Sequence, residues 1–237
     1  MKLIDRLGVS DERLRLMARI DADAGVVATR GYVLIDDRHH AGHANARFSE
    51  MPAFYMDIAS GGPEDLSPKY VFDIMSRPDC EHFIWISQRA AAAPLPRFLW
   101  IYAHEVQHLV QRLRDPLCAR ANNLIRAAYG RTDRTAKLPL EFPAEFDAEL
   151  AARNAVRRLL GADALAAYLE EQSLDPVGHA YFRRFHELEA PWRGLRTETA
   201  AMLRARRDEL RALQRELADE EYVFDIDVLC DSEPGAR

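Results

Sequence analysis

The chain changes character near residue 97, and this change constrains its fold more than any other feature of the sequence. Before that point, β-branched and aromatic residues form short runs, which predict strands at 26–35 (with a turn or bulge at Gly31), 54–58 and 82–87. Beyond it, the sequence is rich in Ala, Leu, Arg and Glu, with apolar residues at helical spacing. We therefore expect an α+β fold with a small N-terminal mixed sheet and a mainly helical C-terminal half.

Prolines, glycines and capping residues divide the chain into predicted elements. Ser10 begins a helix over about 10–23, while a polar loop at 36–45 and a turn at Gly61-Gly62-Pro63 separate the strands. Further helices are predicted at 97–114, 117–129 (closed by Gly130), 143–160, 163–173, 176–189 and 194–221, and a last strand at 222–229. Because no linker is evident, we expect a single domain over 1–237, comprising a sheet-containing part (1–100), a helical part (97–221) and an acidic tail (222–237).

The composition excludes several functional classes. The 237 residues carry 38 acidic and 32 basic side chains, a net charge of −6, so a strongly basic nucleic-acid binder is not expected. No apolar run suits a signal peptide or a membrane span, and three scattered cysteines favour a reducing compartment over a disulfide framework. We therefore expect a soluble cytoplasmic protein with no membrane partner.

One five-residue segment, His104-Glu105-Val106-Gln107-His108, carries the chemistry. On the predicted helix at 97–114, its two histidines are one turn apart and share a face, so both imidazoles can bind one tetrahedral Zn²⁺. Glu105 lies about 100° round the helix from His104, where it can act on a water molecule at the metal without being a ligand. The segment therefore predicts a metal site, the alternative being two surface histidines beside an ordinary glutamate.

A zinc site needs at least a third protein ligand. The metzincin pattern, which has a further histidine ten positions after the first, is absent because that position is Arg114. The remaining acidic candidates lie on the predicted helix at 143–160 and are Glu145, Asp147 and Glu149. Glu145 and Glu149 are four residues apart and share a face, whereas Asp147 points about 200° away from Glu145.

These two segments resemble the gluzincin branch of the zincin metallopeptidases, in which H-E-x-x-H is paired with a downstream helix reading E-x-x-A-D or E-x-x-x-D. The segment Glu145-Phe146-Asp147-Ala148-Glu149 follows this pattern but ends in Glu instead of Asp. The resemblance covers residues 83–160 and implies a zincin-like fold that uses one Zn²⁺ to hydrolyse peptide bonds in a cytoplasmic peptide or protein.

The resemblance also implies a role for each residue of the two motifs. The zinc ligands would be His104, His108 and Glu145, and Glu105 would be the general base that passes a proton to the leaving amine. Glu149 would accept the free N–H of a ligating histidine. Glu149 or Asp147 stays an alternative as the third ligand.

Two further functions are implied for residues outside the motifs. An oxyanion donor would come from the predicted helix at 176–189, where His179, Tyr181 and His186 are candidates; the alternative is that they are ordinary polar residues of a helix surface. The strand before the metal helix, Phe83 to Ser87, would receive the substrate as an added strand.

Two other classes of protein fit the same residues. One is a zincin-fold binding or regulatory module, whose metal site is not catalytic and which binds a protein or nucleic-acid partner. Its surface would be the basic segment 112–137, but a single interleaved aromatic residue, Tyr129, favours a solvated face over base stacking. The other is a structural metal site closed by a fourth protein ligand. A His₂Glu set also accepts divalent ions other than zinc.

Charge is distributed unevenly near the C-terminus. Residues 216–233 carry acidic side chains and no Lys or Arg, whereas residues 183–215 are rich in Arg. One hypothesis is that the acidic tail docks on this basic stretch or near the metal site, with Val223, Phe224 and Ile226 as anchors. The alternative is a frayed tail.

Overall fold

The computed structural model of the protein describes residues 1–36, 52–58, 73–132, 138–217 and 222–231, and over these ranges the chain is α+β, as predicted. The strands are β1 (Lys2–Asp5), β2 (Gly31–Asp36), β3 (Ala53–Asp57) and β4 (His82–Ser87). The helices are α1 (Asp11–Ala24), α2 (Gln88–Ala91), α3 (Leu95–Arg114), α4 (Pro116–Thr132), α5 (Pro143–Leu160), α6 (Ala162–Gln172), α7 (Pro176–Glu189), α8 (Leu195–Ala205), α9 (Arg207–Leu217) and α10 (Ile226–Cys230). No helix in these ranges is both long and apolar enough to cross a bilayer.

The described strands form one mixed sheet in the order β1-β2-β4-β3. β1, β2 and β4 are parallel, and β3 runs antiparallel to β4. Every residue of β2 and β4 is buried, which is why both read as continuous apolar runs rather than alternating patterns. The predicted strands at 54–58 and 82–87 are thus confirmed as β3 and β4, within one residue.

The strand predicted at 26–35 is correct only from Gly31 onward. Residues before it form a turn, in which Thr29 N–H donates to Val26 O at 3.0 Å. Gly31 is neither a turn nor a bulge: it is the first residue of β2 and pairs with His82. A Cβ at Gly31 would lie 2.5 Å from the backbone oxygen of His82, so this close approach requires glycine.

The position of β4 in the sheet contradicts its predicted role in substrate binding. β4 pairs with β2 on one side and β3 on the other. Phe83 to Ser87 therefore cannot receive a substrate as an added strand, because the backbone groups on both sides of β4 already pair within the sheet. The last strand on this side of the described sheet is β3.

Three expectations for the helical part and the acidic tail are wrong. Gly130 does not close α4, which continues to Thr132. The long helix predicted at 194–221 is two helices, α8 and α9, separated at Arg206, whose φ of −130° and ψ of 26° are not helical. The strand predicted at 222–229 is replaced by the short helix α10, whose first turn is capped by the Asp225 side chain.

The loop predicted at 36–45, beyond Asp36, and the turn predicted at 61–63 lie outside the described residues.

The chain divides into two compact units, one of residues 1–110 and 151–168 and one of residues 111–150 and 169–237. The first contains the sheet, whose buried cluster includes Leu34, Phe83 and Trp85. Its α1 begins at the capping residue Ser10 and ends at Gly25, which adopts a left-handed conformation with φ 75°. The single domain over 1–237 stays a prediction.

The second unit has a helical core in which α4, α8, α9 and α10 share one buried cluster. Ile226 and Leu229 of α10 are buried in it, and Asp227 forms ion pairs with Arg207 and Arg211. The predicted docking of the acidic tail on the basic stretch is therefore confirmed for residues 222–231, although Val223 is exposed and is not an anchor.

Candidate metal centre

Helix α3 carries the two histidines. It begins at Leu95, between Pro94 and Pro96, and ends at Arg114, directly before Asp115-Pro116. Asp115 caps the next helix by accepting the backbone N–H of Cys118 at 3.1 Å. The sequence thus fixes both ends of a 20-residue helix around the H-E-x-x-H segment.

About half of the residues of α3 are buried, and one accessible stripe along the helix carries the two histidines. Arg97, Ile101, His104 and His108 lie within an arc of about 60° on the helix surface. Arg97 is exposed and the other three are half-buried, whereas Glu105, on the adjoining face, is 8% exposed. Both histidines therefore reach an accessible surface while the glutamate between them is largely enclosed.

The two imidazoles point at a common position. Nε2 of His104 and Nε2 of His108 are 3.1 Å apart, and the ring planes are 83° from each other. Two nitrogens each bonded to one tetrahedral zinc ion are about 3.3 Å apart, given Zn–N bonds of about 2.05 Å. The observed separation fits shared coordination closely. It would also suit a hydrogen bond in which Nε2 of one ring donates to Nε2 of the other.

Glu145 completes a group of three donors. The ligand atoms of His104, His108 and Glu145 all lie within 4.8 Å of one another, which makes this a group that could hold a metal ion. Glu145 lies in the first turn of α5 and is 9% exposed. Its Oε1 accepts a bond of 2.5 Å from Nη1 of Arg126, and a carboxylate with two oxygens can accept this bond and still coordinate.

The start of α5 is held by two buried amides. Nε2 of Gln111 donates to Ala144 O at 2.8 Å and to Oδ2 of Asp147 at 2.9 Å. Oδ1 of Asn122 accepts the backbone N–H of Ala144 at 3.1 Å, and Nδ2 of Asn122 donates to Oγ1 of Thr199 at 2.8 Å. The residue before Glu145 is therefore fixed through both its N–H and its carbonyl.

The sequence did not reveal these positioning residues. Gln111 follows His108 by three residues, so the same rigid helix carries both. The sequence signal for them is a polar amide on the helix face whose other residues are apolar. Both amides are buried, since Gln111 is 5% and Asn122 2% exposed. Such buried amides are bonded to a partner, but the sequence does not identify which one.

The alternative ligands have different surroundings. Asp147 accepts a bond from Gln111, and neither Asp147 nor Glu149 belongs to the metal-binding group found among the described residues. Glu149 is buried, at 9% exposed. Its role as acceptor for a histidine N–H stays a prediction.

The candidate oxyanion donors lie on α7. His179 and His186 are exposed and line a cavity of about 450 Å³ together with Phe182. Tyr181 is half-buried and packs against the cluster that contains Phe146. The cavity lining includes none of the three metal-binding residues, and an oxyanion role for His179 or Tyr181 stays a prediction.

Comparison of the chain with models of known protein families, with curated proteins and with solved structures found no match. The resemblance to gluzincins therefore stays a prediction from the two sequence motifs. What the site itself establishes is a compact His₂Glu group that could hold a metal ion.

Proposed function

We propose that the protein is a zinc-dependent peptidase of the gluzincin type, with a zincin-like fold, acting on a cytoplasmic peptide or protein. The convergence of one ring nitrogen of His104, one of His108 and a Glu145 carboxylate oxygen within 4.8 Å carries this proposal. These are the donors expected for a catalytic zinc site with three protein ligands and an open position.

The proposed chemistry assigns a distinct task to each residue. His104, His108 and Glu145 would hold the ion, which supplies Lewis acidity and a lowered pKa for bound water. Glu105 accepts the proton of the attacking water and returns it to the leaving amine. Its enclosed position favours this task, because proton transfer in a site shielded from bulk water is protected from competing exchange.

The anchoring of α5 supports the same proposal. The bonds from Gln111 and Asn122 to Ala144 fix the backbone next to Glu145, so the third donor needs little reorganisation to coordinate. Arg126 holds one oxygen of the Glu145 carboxylate and thereby restricts its rotation. Positioning by surrounding hydrogen bonds is typical of functional metal sites.

The test is peptide hydrolysis by the wild-type protein and by Glu105→Gln. We expect the wild type to cleave members of a random peptide library, and the variant to be slower by a factor of about 10²–10⁴ with unchanged zinc content. Glu171→Gln, an exposed substitution on α6, is the matched control and should leave the rate unchanged. A wild-type protein that binds zinc and cleaves no peptide would contradict the proposal and favour the binding module.

A further inference from the structure

A second cavity lies along the helix that carries the histidines. Its volume is about 370 Å³, and it is lined by the start of α3, the segment before it and Pro52 next to β3. Most of its wall consists of alanine and proline, and its charged residues are Arg89 and Arg97. A concave surface whose described lining carries two guanidinium groups and no acidic residue has a positive potential.

Neither guanidinium is neutralised by its surroundings in the described structure. Within residues 1–36, 52–58, 73–132, 138–217 and 222–231, Arg89 and Arg97 form no ion pair and no side-chain hydrogen bond, and both are exposed. By contrast, Arg126 and Arg207 are paired with carboxylates. Among the described residues, no carboxylate therefore neutralises these two cations of the cavity lining, and both can receive an anion.

The cavity continues into the accessible stripe of α3. Arg97 and Ile101 line it, and His104 follows Ile101 on the same face one turn later. The helix rise places the Cα atoms of Arg97 and His104 roughly 10 Å apart along the axis. An extended peptide advances about 3.3 Å per residue, so the cavity is about three residues away from a bond held at the histidines.

The walls of the cavity are fixed by contacts from other elements. Arg13 of α1 donates to Ala91 O at 2.5 Å and to Ala93 O at 2.7 Å, and its guanidinium lies 4.8 Å from the centre of the Phe98 ring. Ser87 caps α2 through its side chain and donates its backbone N–H to Pro52 O at 2.9 Å. The backbone between Arg89 and Arg97 is therefore already fixed before a ligand binds. This lowers the entropic cost of binding a ligand in the cavity.

We propose that this cavity is a specificity subsite that binds a carboxylate of the substrate through Arg89 and Arg97. Guanidinium groups match carboxylates in geometry and form strong, directional hydrogen bonds with them. The carboxylate is supplied either by an acidic side chain about three residues from the scissile bond or by the C-terminus of a short peptide. The subsite rests on the proposed peptidase function, because the substrate is defined by it.

The test measures binding instead of turnover, using the full chain with Glu105→Gln, zinc-loaded. The probes are three acetylated alanine-based hexapeptide pools: one with a single Glu at each position in turn and an amidated C-terminus, one with Gln in place of Glu, and one with Gln and a free C-terminal carboxylate. Titration followed by NMR gives the dissociation constants. Arg89→Gln combined with Arg97→Gln removes the subsite charges, and Arg157→Gln, an exposed arginine of α5, is the matched control.

We expect one of the two carboxylate-bearing pools to bind about tenfold more tightly than the neutral pool, a preference that the double variant loses and Arg157→Gln retains. A preference for internal Glu identifies a side-chain carboxylate, and a preference for the free terminus identifies the chain end. Equal binding of all pools, or a preference that survives in the double variant, overturns the subsite.

Failure of the subsite and failure of the peptidase proposal are distinguishable. Wild-type protein that cleaves peptides while its Glu105→Gln form shows no charge preference overturns the subsite alone. A charge preference that depends on Arg89 and Arg97, in a protein that hydrolyses no peptide, overturns the peptidase proposal alone.

Discussion

The side-chain Nε2 of Gln111 donates a hydrogen bond of 2.8 Å to the backbone oxygen of Ala144, the residue before Glu145. The same nitrogen donates to Oδ2 of Asp147 at 2.9 Å. A single buried amide thus joins the helix that carries the histidines to the turn that carries the third donor. Loss of this amide would affect both stability and metal binding.

Gln111→Met keeps the approximate length of the side chain and removes both hydrogen bonds. We expect the free energy of unfolding to fall by about 1–3 kcal/mol, because a buried carbonyl and a carboxylate lose a donor. We also expect zinc affinity to fall about tenfold, as is typical when a group that orients a ligand is removed. Urea unfolding and zinc titration measure the two effects. Unchanged zinc affinity in a destabilised variant would show that Gln111 does not position Glu145.

A pH-dependent effect is expected at Asp21. Oδ1 of this residue accepts a bond of 2.7 Å from the hydroxyl of Tyr102. Burial raises the pKa of Asp21 above its ordinary value, and the Tyr102 bond offsets part of this rise. Asp21 also lies near the C-terminal end of α1, where a negative charge is unfavourable. Its ionisation therefore costs more in the folded protein than in the unfolded chain.

Because the folded pKa is the higher one, the stability associated with protonated Asp21 is present below the unfolded pKa and is lost as pH rises through the folded pKa. Asp21→Asn cannot ionise and retains an acceptor for Tyr102. We expect it to be more stable than the wild type in urea at pH 7, with a gain that shrinks as the pH falls toward 4. Glu171→Gln, exposed near the end of α6, controls for helix-end electrostatics. A variant less stable than the wild type at pH 7 would contradict this assignment.

Two substitutions in the C-terminal segment, one buried and one exposed, test whether helix α10 packs into the core. Leu229 is 0% exposed in the core shared by α4, α8 and α9, whereas Val223 is 59% exposed. Leu229→Ala should lower the free energy of unfolding by about 2–5 kcal/mol, because a cavity is left in a packed core. Val223→Ala should change it by no more than about 0.5 kcal/mol. Similar small effects in both variants, measured by urea unfolding, would show that α10 does not dock as described.

The sequence predicts an element well where local signals agree. The strand His82–Ser87 is bounded correctly because a short run of β-branched and aromatic residues has no helical period. The helix Pro143–Leu160 begins at a proline and is followed by Gly161, whose φ is 94°, so both ends are encoded locally. The helical spacing of His104 and His108 likewise predicts the convergence of their Nε2 atoms.

Other features depend on contacts between distant residues and are not encoded locally. The partial alternation of segment 222–229 predicts a strand, but Ile226, Leu229 and Cys230 have helical spacing and pack into the core around α8. The central position of β4 follows from its pairing with both β2 and β3, which no local pattern specifies. For the same reason, the sequence does not decide which of Glu145, Asp147 and Glu149 is the third ligand.

The most direct test of the proposed site is zinc stoichiometry in carboxylate variants of α5. Each full-length protein is stripped of metal, titrated with zinc and measured by calorimetry and elemental analysis. We predict one tightly bound zinc per wild-type chain, a loss of at least tenfold in affinity in Glu145→Gln, and a smaller loss in Asp147→Asn. Wild-type affinity in Glu145→Gln, together with loss of zinc in Glu149→Gln or Asp147→Asn, would contradict the assignment of Glu145 as the third ligand.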